Sequence, residues 1–395
     1  MPGLLSQLLV RHFVLDWQDK HPNALHLQAE KFKMITTQQV LDALSNVMDP
    51  DLGKDLVTLN MIKDIAIDDK NVAFTVVLTT PACPMKDMIH NACVNAIVHY
   101  VDKEAHVNIN MTANVTTKRG DERPLLPKVK NIIAVASGKG GVGKSTVSAN
   151  LAIALADLGA KVGLVDADIY GPSIPIMFDV VDEKPLVRNT EAGQLMVPVE
   201  SYGIKLLSIG FFADPAQAVV WRGPMASKAL TQLFRDADWG ELDYLIIDLP
   251  PGTGDIHLTL VSGIPLTGAI IVTTPQLVAL ADAEKAVSMF QIPSINVPVL
   301  GIVENMSYFT PTELPENKYY LFGKDGGKQM AEKLNVPLLA QLPLVQSIRE
   351  AGDSGRPAGL QDNTPVSKAF LQLAMNVAQQ VALKNAGIKP KEVIA

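Results

Sequence analysis

The chain has 395 residues, 48% hydrophobic and 19% charged, a balance that suits a globular protein with a full core and two or three domains. A net charge of −7 argues against a nucleic-acid partner gripped through its phosphate backbone. No apolar run approaches the roughly 18 residues of a membrane span, and two cysteines, Cys83 and Cys93, cannot build a disulfide framework, which points to a reducing cytoplasm.

Residues 1–33 start apolar but are broken by Arg11, His12 and Asp16, with no signal-peptide pattern. They read as a flexible extension or as upstream sequence from a misplaced start. Ile35 to Val47 has the apolar spacing of an amphipathic helix, with Val40, Leu41, Leu44 and Val47 on one face. Two strands are expected near Ile62–Ile67 and Val72–Leu78, then a second helix from Met85 to about Val101. Pro84 is expected at its first position, and Cys93 on its apolar face with Ile89, Ala96 and Ile97. Together, residues 34–114 make a small α/β domain. The charged, proline-containing stretch 115–130 reads as a linker.

From Asn131 to about residue 385 the pattern changes. Short apolar runs at 132–137, 161–168, 244–251, 268–274 and 298–303 alternate with helical stretches. Such runs are strands buried on both faces, which predicts an α/β fold with a mostly parallel sheet wrapped by helices. Ligands then sit beyond the carboxyl ends of the strands. Residues 386–395 read as a tail.

The chemistry falls at those ends. Residues 137–146, SGKGGVGKST, fit G-x-x-x-x-G-K-[ST] between a strand and a helix, so the amides of Gly138, Gly140, Gly141, Val142, Gly143, Lys144, Ser145 and Thr146 can cradle ATP phosphates. Lys144 would neutralise the β and γ phosphates and Ser145 would ligate Mg²⁺. Asp168, in VDADIYGPSIP, is a candidate for orienting the attacking water. Asp248, closing LIIDLPPGTGD, is a candidate to hold Mg²⁺, and Gly252 to place an amide on the γ-phosphate in a switch-like turn.

GKGGVGKS resembles the deviant Walker A loop of the MinD, ParA, ArsA and nitrogenase-reductase class. That resemblance implies a homodimer in which Lys139 reaches the partner subunit's nucleotide. The longer strings around the loop, with RGPM at 222–225, LIIDLPPGTGDIHLT and GIVENMSYF, are similar to the Mrp/ApbC family of iron–sulfur cluster carrier ATPases. DPDLGKDLVTLNMI and TTPACPMKDMI resemble the iron–sulfur assembly domain that precedes the ATPase in bacterial members. The family implies ATP hydrolysis, expected to be slow, apoprotein clients or Fe–S assembly partners, no membrane or nucleic-acid partner, and Asn305 at the adenine. One departure stands out. Many members carry C-x-x-C after ENMSYF, two subunits sharing a [4Fe–4S] cluster, whereas this chain reads TPTELPE there. Cys83, just before a helix, is left as a possible Fe–S ligand against an ordinary loop cysteine; the aromatics of 304–323 are read as covering apolar surface. Two other readings stay open: an assembly adaptor without its own cluster, and a MinD/ParA-type spatial organiser.

Overall fold

The computed structural model describes residues 34–118, 125–190, 193–212, 223–311, 313–314 and 316–389. The expected extension 1–33, the middle of the linker, Arg222, Thr312, Pro315 and the end of the tail lie outside the described residues. The chain divides into two units, one of residues 34–77 and 87–111, the other of 78–86 and 112–389.

The smaller unit takes in α1 (Thr37–Leu44), β1 (Ile62–Asp68), β2 (Asn71–Leu78), α2 (Lys86–Tyr100) and β3 (His106–Ala113). Thr36 starts α1 with a reciprocal capping box to Gln39. The three strands form one sheet in the order β1-β2-β3. β2 buries Val72, Phe74, Val76 and Leu78 in strict alternation, the period-2 signature of a strand with one covered face. α2 buries Ile89, Cys93, Ala96 and Ile97, the face the spacing predicts.

The larger unit holds β4 (Val129–Ala136), α3 (Lys144–Asp157), β5 (Val162–Asp166), α4 (Ile174–Met177), β6 (Leu186–Thr190), β7 (Gly193–Val197), β8 (Val199–Ser201), β9 (Ile204–Ser208), α5 (Gly223–Arg235), β10 (Leu242–Asp248), α6 (Asp255–Gly263), β11 (Gly268–Thr273), α7 (Leu277–Gln291), β12 (Val299–Glu304), α8 (Gly326–Leu334), β13 (Leu338–Gln341), α9 (Gln346–Asp353) and α10 (Pro365–Ala386). Eight strands form one sheet in the order β13-β12-β11-β4-β10-β5-β9-β8. The pairs are parallel except β8 with β9 at the edge. All five apolar runs are strands. The sheet adds β8, β9 and β13, of three, five and four residues, and β6 and β7 form a separate hairpin.

Both faces are covered. Ile133 and Val135 of β4 point into one core with α3 and α10, while Ile132, Ala134 and Ala136 join Leu230, Val287 and Phe290 of α5 and α7 in the other. Truncating a fully buried isoleucine such as Ile132 to alanine would cost about 2–5 kcal/mol. Thr364 opens α10 with a second capping box, and Gly387, at φ 75, closes it, so the C-terminal stretch is a packing helix.

Segment 78–86 counts with the larger unit through its own contacts. Thr80 Oγ1 lies 3.1 Å from the Tyr244 hydroxyl, and Ala82 is part of the core shared with α3. Pro84 is not the first helical residue as expected. α2 begins at Lys86, because a turn closed by the Lys86 amide on the Cys83 carbonyl at 3.3 Å intervenes.

Candidate nucleotide site

The register of the parallel sheet builds the site. Asp248, last residue of β10, pairs with Asp166, last of β5, so two carboxylates stand side by side where neighbouring strands are about 4.8 Å apart. Neither is exposed to solvent. The charge is met from the first turn of α3. Lys144 places Nζ 2.8 Å from Asp248 Oδ1 and 3.8 Å from Asp168 Oδ2. Ser145 donates to Asp248 Oδ2 at 2.6 Å, and Ser148 Oγ lies 2.7 Å from Oδ1.

Between β4 and α3 the loop closes tightly. At Gly138 a side chain would meet the Asp282 carbonyl of α7 at 2.0 Å. Gly143, the helix N-cap, has φ 80 and leaves 2.3 Å between its absent Cβ and Asn305 Nδ2. Only glycine meets both demands. Asn305 is buried and donates Nδ2 to the Val142 carbonyl at 2.9 Å. It therefore grips the phosphate loop, and it also lines a cleft of about 380 Å³ with Thr146, Met177, Leu344, Ile348 and Arg349. That cleft continues from the helix N-terminus and suits a nucleoside next to its phosphates. Gly140, Gly141, Val142 and Lys139 line a smaller cavity with Gln276 and Phe322. Lys139 is exposed and has no ion-pair partner among the described residues.

Asp168 is nearly buried. Burial pushes its carboxyl up while the Lys144 ammonium pulls it down, and its Oδ1 accepts the Tyr170 amide at 3.3 Å. Gly252, at φ 96, donates its amide to the Ser137 carbonyl at 2.9 Å, so in this structure that N–H serves the phosphate loop. The hydroxyl of Ser145 and the carboxylate of Asp248 are hard oxygen donors facing the same space, a set that fits Mg²⁺.

Three further residues join the site that the motifs alone do not assign to it. Asp166 accepts from the amides of Asp168 and Ile174 at 3.2 and 3.1 Å and from Ser208 Oγ at 3.0 Å. Burial and the neighbouring Asp248 push it up to about 7. Ser148 is one turn beyond the loop motif. His257, on α6, is 2% exposed and its Nε2 has no hydrogen-bond partner among the described residues; burial, with Lys144 adding to it, lowers its pKa to about 4. The string GDIH, directly after the turn that follows Asp248, was the only hint of it.

Cys93 is fully buried, its thiol pushed up to about 12 by burial, an inert packed side chain. Cys83 is half-buried in its turn. Among the described residues no group of three or more His, Cys, Asp or Glu side chains could hold a metal ion.

Residues 128–378 match the family model of the NUBPL iron-transfer P-loop NTPases. The chain belongs to that family. Residues 37–111 match the model of an iron–sulfur cluster assembly protein, so the iron-transfer NTPase of this chain follows an assembly-type unit. An iron-sulfur cluster carrier protein from Synechocystis is 48% identical over 89% of this chain and 99% of its own length. One from Haemophilus influenzae is 44% identical over 90% of this chain and 95% of its own. A nucleotide-binding protein from Archaeoglobus fulgidus, solved in complex with ADP, is 38% identical with a TM-score of 0.53, covering 62% of this chain and 93% of that one. As a P-loop NTPase with the Lys144, Ser145 and Asp248 set intact, the chain is an ATPase. No helix among the described residues is long and apolar enough to cross a membrane.

Proposed function

We propose that the chain is a slow, ATP-hydrolysing homodimer that carries iron–sulfur clusters to apoproteins in the cytoplasm. The observation that carries the nucleotide half is the convergence of Lys144, Ser145 and Asp248 on the Gly138–Ser145 loop. The loop amides and the α3 N-terminus bind phosphate oxygens, and Lys144 exchanges Asp248 for the β and γ phosphates. Ser145 and Asp248 would hold Mg²⁺, which supplies neutralisation of phosphate charge. Asp168 orients the attacking water. Asn305 positions the loop and meets adenine, and the Gly252 amide takes the γ-phosphate when its turn reorders.

Dimerisation rests on Lys139. An exposed cation on the phosphate loop that shares a cavity with Gln276 and Ala279, the neighbours in the chain of the exposed Leu277 and Val278, suits a face that closes against a second copy and brings Lys139 to the partner's nucleotide.

The cluster is cargo. Among the described residues neither thiol belongs to a group of three or more possible metal ligands, and Cys83, if it ligates, would share the cluster with a partner protein or a small thiol. The missing C-x-x-C also supports a second reading, an ATP-dependent assembly adaptor whose partner holds the metal. Anaerobic reconstitution with iron and sulfide separates them. A carrier takes up iron and labile sulfide, keeps them in Cys93→Ala and loses them in Cys83→Ala. Absence of iron from all three proteins leaves the adaptor.

A further inference from the structure

Glu304, the last residue of β12, is fully buried, and no lysine, arginine or histidine among the described residues pairs with it. Its carboxylate is met by dipoles alone. Oε1 accepts from Ser307 Oγ and from Gln341 Nε2, the latter at 2.8 Å; Oε2 accepts the backbone N–H of Gly327. Gly327 lies in the first turn of α8, whose N-cap residue Asp325 makes no side-chain cap bond. Glu304 caps that helix from another element, where a negative charge is favoured. The approach is close: a Cβ on Gly327 would meet Glu304 Cβ at 2.9 Å and Oε2 at 3.0 Å.

Ser307 and Gly327 bracket the aromatic loop. One carboxylate therefore ties its two ends. Inside, Phe309 and Tyr319 exchange both backbone hydrogen bonds at 2.8 Å, Lys318 sits 4.1 Å over the Tyr308 ring, and Lys324 5.0 Å over that of Tyr320. On the other side of Glu304, the next residue is Asn305, which grips the phosphate loop at Val142, and Met306 follows in a left-handed turn at φ 55.

We propose that Glu304 is a positioning residue that couples the phosphate loop to the aromatic loop, so that nucleotide bound at the first changes the order of the second. Binding free energies are reciprocal, so a partner seated on the aromatic loop shifts nucleotide affinity by the same factor. The proposal rests on nucleotide occupying the Gly138–Ser145 loop.

Hydrogen exchange on the full chain, with and without Mg-ADP, tests it. In the natural sequence Mg-ADP slows exchange in peptides spanning 138–146 and also in 305–311 and 316–325, by about tenfold in the last two. In Glu304→Gln an amide N–H₂ replaces one carboxylate oxygen and opposes either the Gly327 N–H or the Ser307 and Gln341 donors, so 138–146 stays protected by nucleotide while the response of the other two peptides is lost. Ser307→Ala keeps the buried charge and removes one tie, and it lowers the response of 305–311 alone. A purely structural role would raise exchange equally with and without nucleotide. Three results overturn the coupling: an unchanged nucleotide response in Glu304→Gln, an unchanged response of 305–311 in Ser307→Ala, or no aromatic-loop response in the natural chain whose phosphate loop is protected. Absence of phosphate-loop protection in the natural chain overturns the nucleotide reading itself, and the coupling with it.

Discussion

The carboxyl ends of β4, β5 and β10 and the two cysteine-bearing stretches show what a built site is and what it is not. At the strand ends, Asp166 and Asp248 are buried next to each other at a cost in desolvation and repulsion, and each is answered by several donors. Among the described residues Cys83 and Cys93 belong to no group of three or more side chains that could hold a metal ion. One sits in a turn and the other in a core. A buried charge network is expensive unless completed, so its presence points to function; a buried thiol packs like any small apolar side chain and points to nothing.

The largest blow to that contrast is Lys144→Ala. It removes the cation shared by Asp248 and Asp168, and nucleotide binding should disappear in a fluorescent-ADP titration; binding within tenfold of the natural chain would detach the network from the nucleotide. Lys139→Ala comes next. Its ammonium has no ion-pair partner among the described residues, so affinity should hold while turnover falls by about 10³-fold, the scale of a cation supplied in trans. Steady-state hydrolysis at normal rates would sink the trans role.

The smallest effect is on stability, at His257. Its pKa of about 4 in the folded chain lies below the ordinary 6.5 of an unfolded histidine. The unfolded chain therefore binds more protons between pH 4 and 6.5. Stability from the neutral ring is complete above 6.5 and drains as pH falls toward 4, by about 3 kcal/mol in all. Asp166, pushed up, has the opposite sign over an overlapping range, so the measurement is the difference in unfolding free energy between the natural chain and His257→Phe. That difference should change between pH 7 and pH 4; parallel curves would show that the ring is not held neutral.

Much of this was legible in the residues. The buried strands are apolar without interruption, the phosphate loop is a local motif, and Cys93 lies at helical spacing from Ile89, Ala96 and Ile97. What stayed hidden depends on register and tertiary contact. That Asp166 stands beside Asp248 follows from how β5 aligns with β10, which neither strand encodes alone. Glu304 was in view inside ENMSYF, yet its partners Gly327 and Gln341 come from two later elements. Pro84 misled because a proline before a helical pattern marks the first turn only when no tighter turn intervenes.

Three side chains from the start of one helix, Lys144, Ser145 and Ser148, converge on the single carboxylate of Asp248. Mechanically, this bolts the start of α3 to the middle of the sheet and makes the phosphate loop a stator. The turn after β10 touches that frame through the Gly252 amide, and the segment after β12 through the Asn305 side chain. Those two hydrogen bonds are the contacts through which a nucleotide on the loop would act on the neighbouring segments.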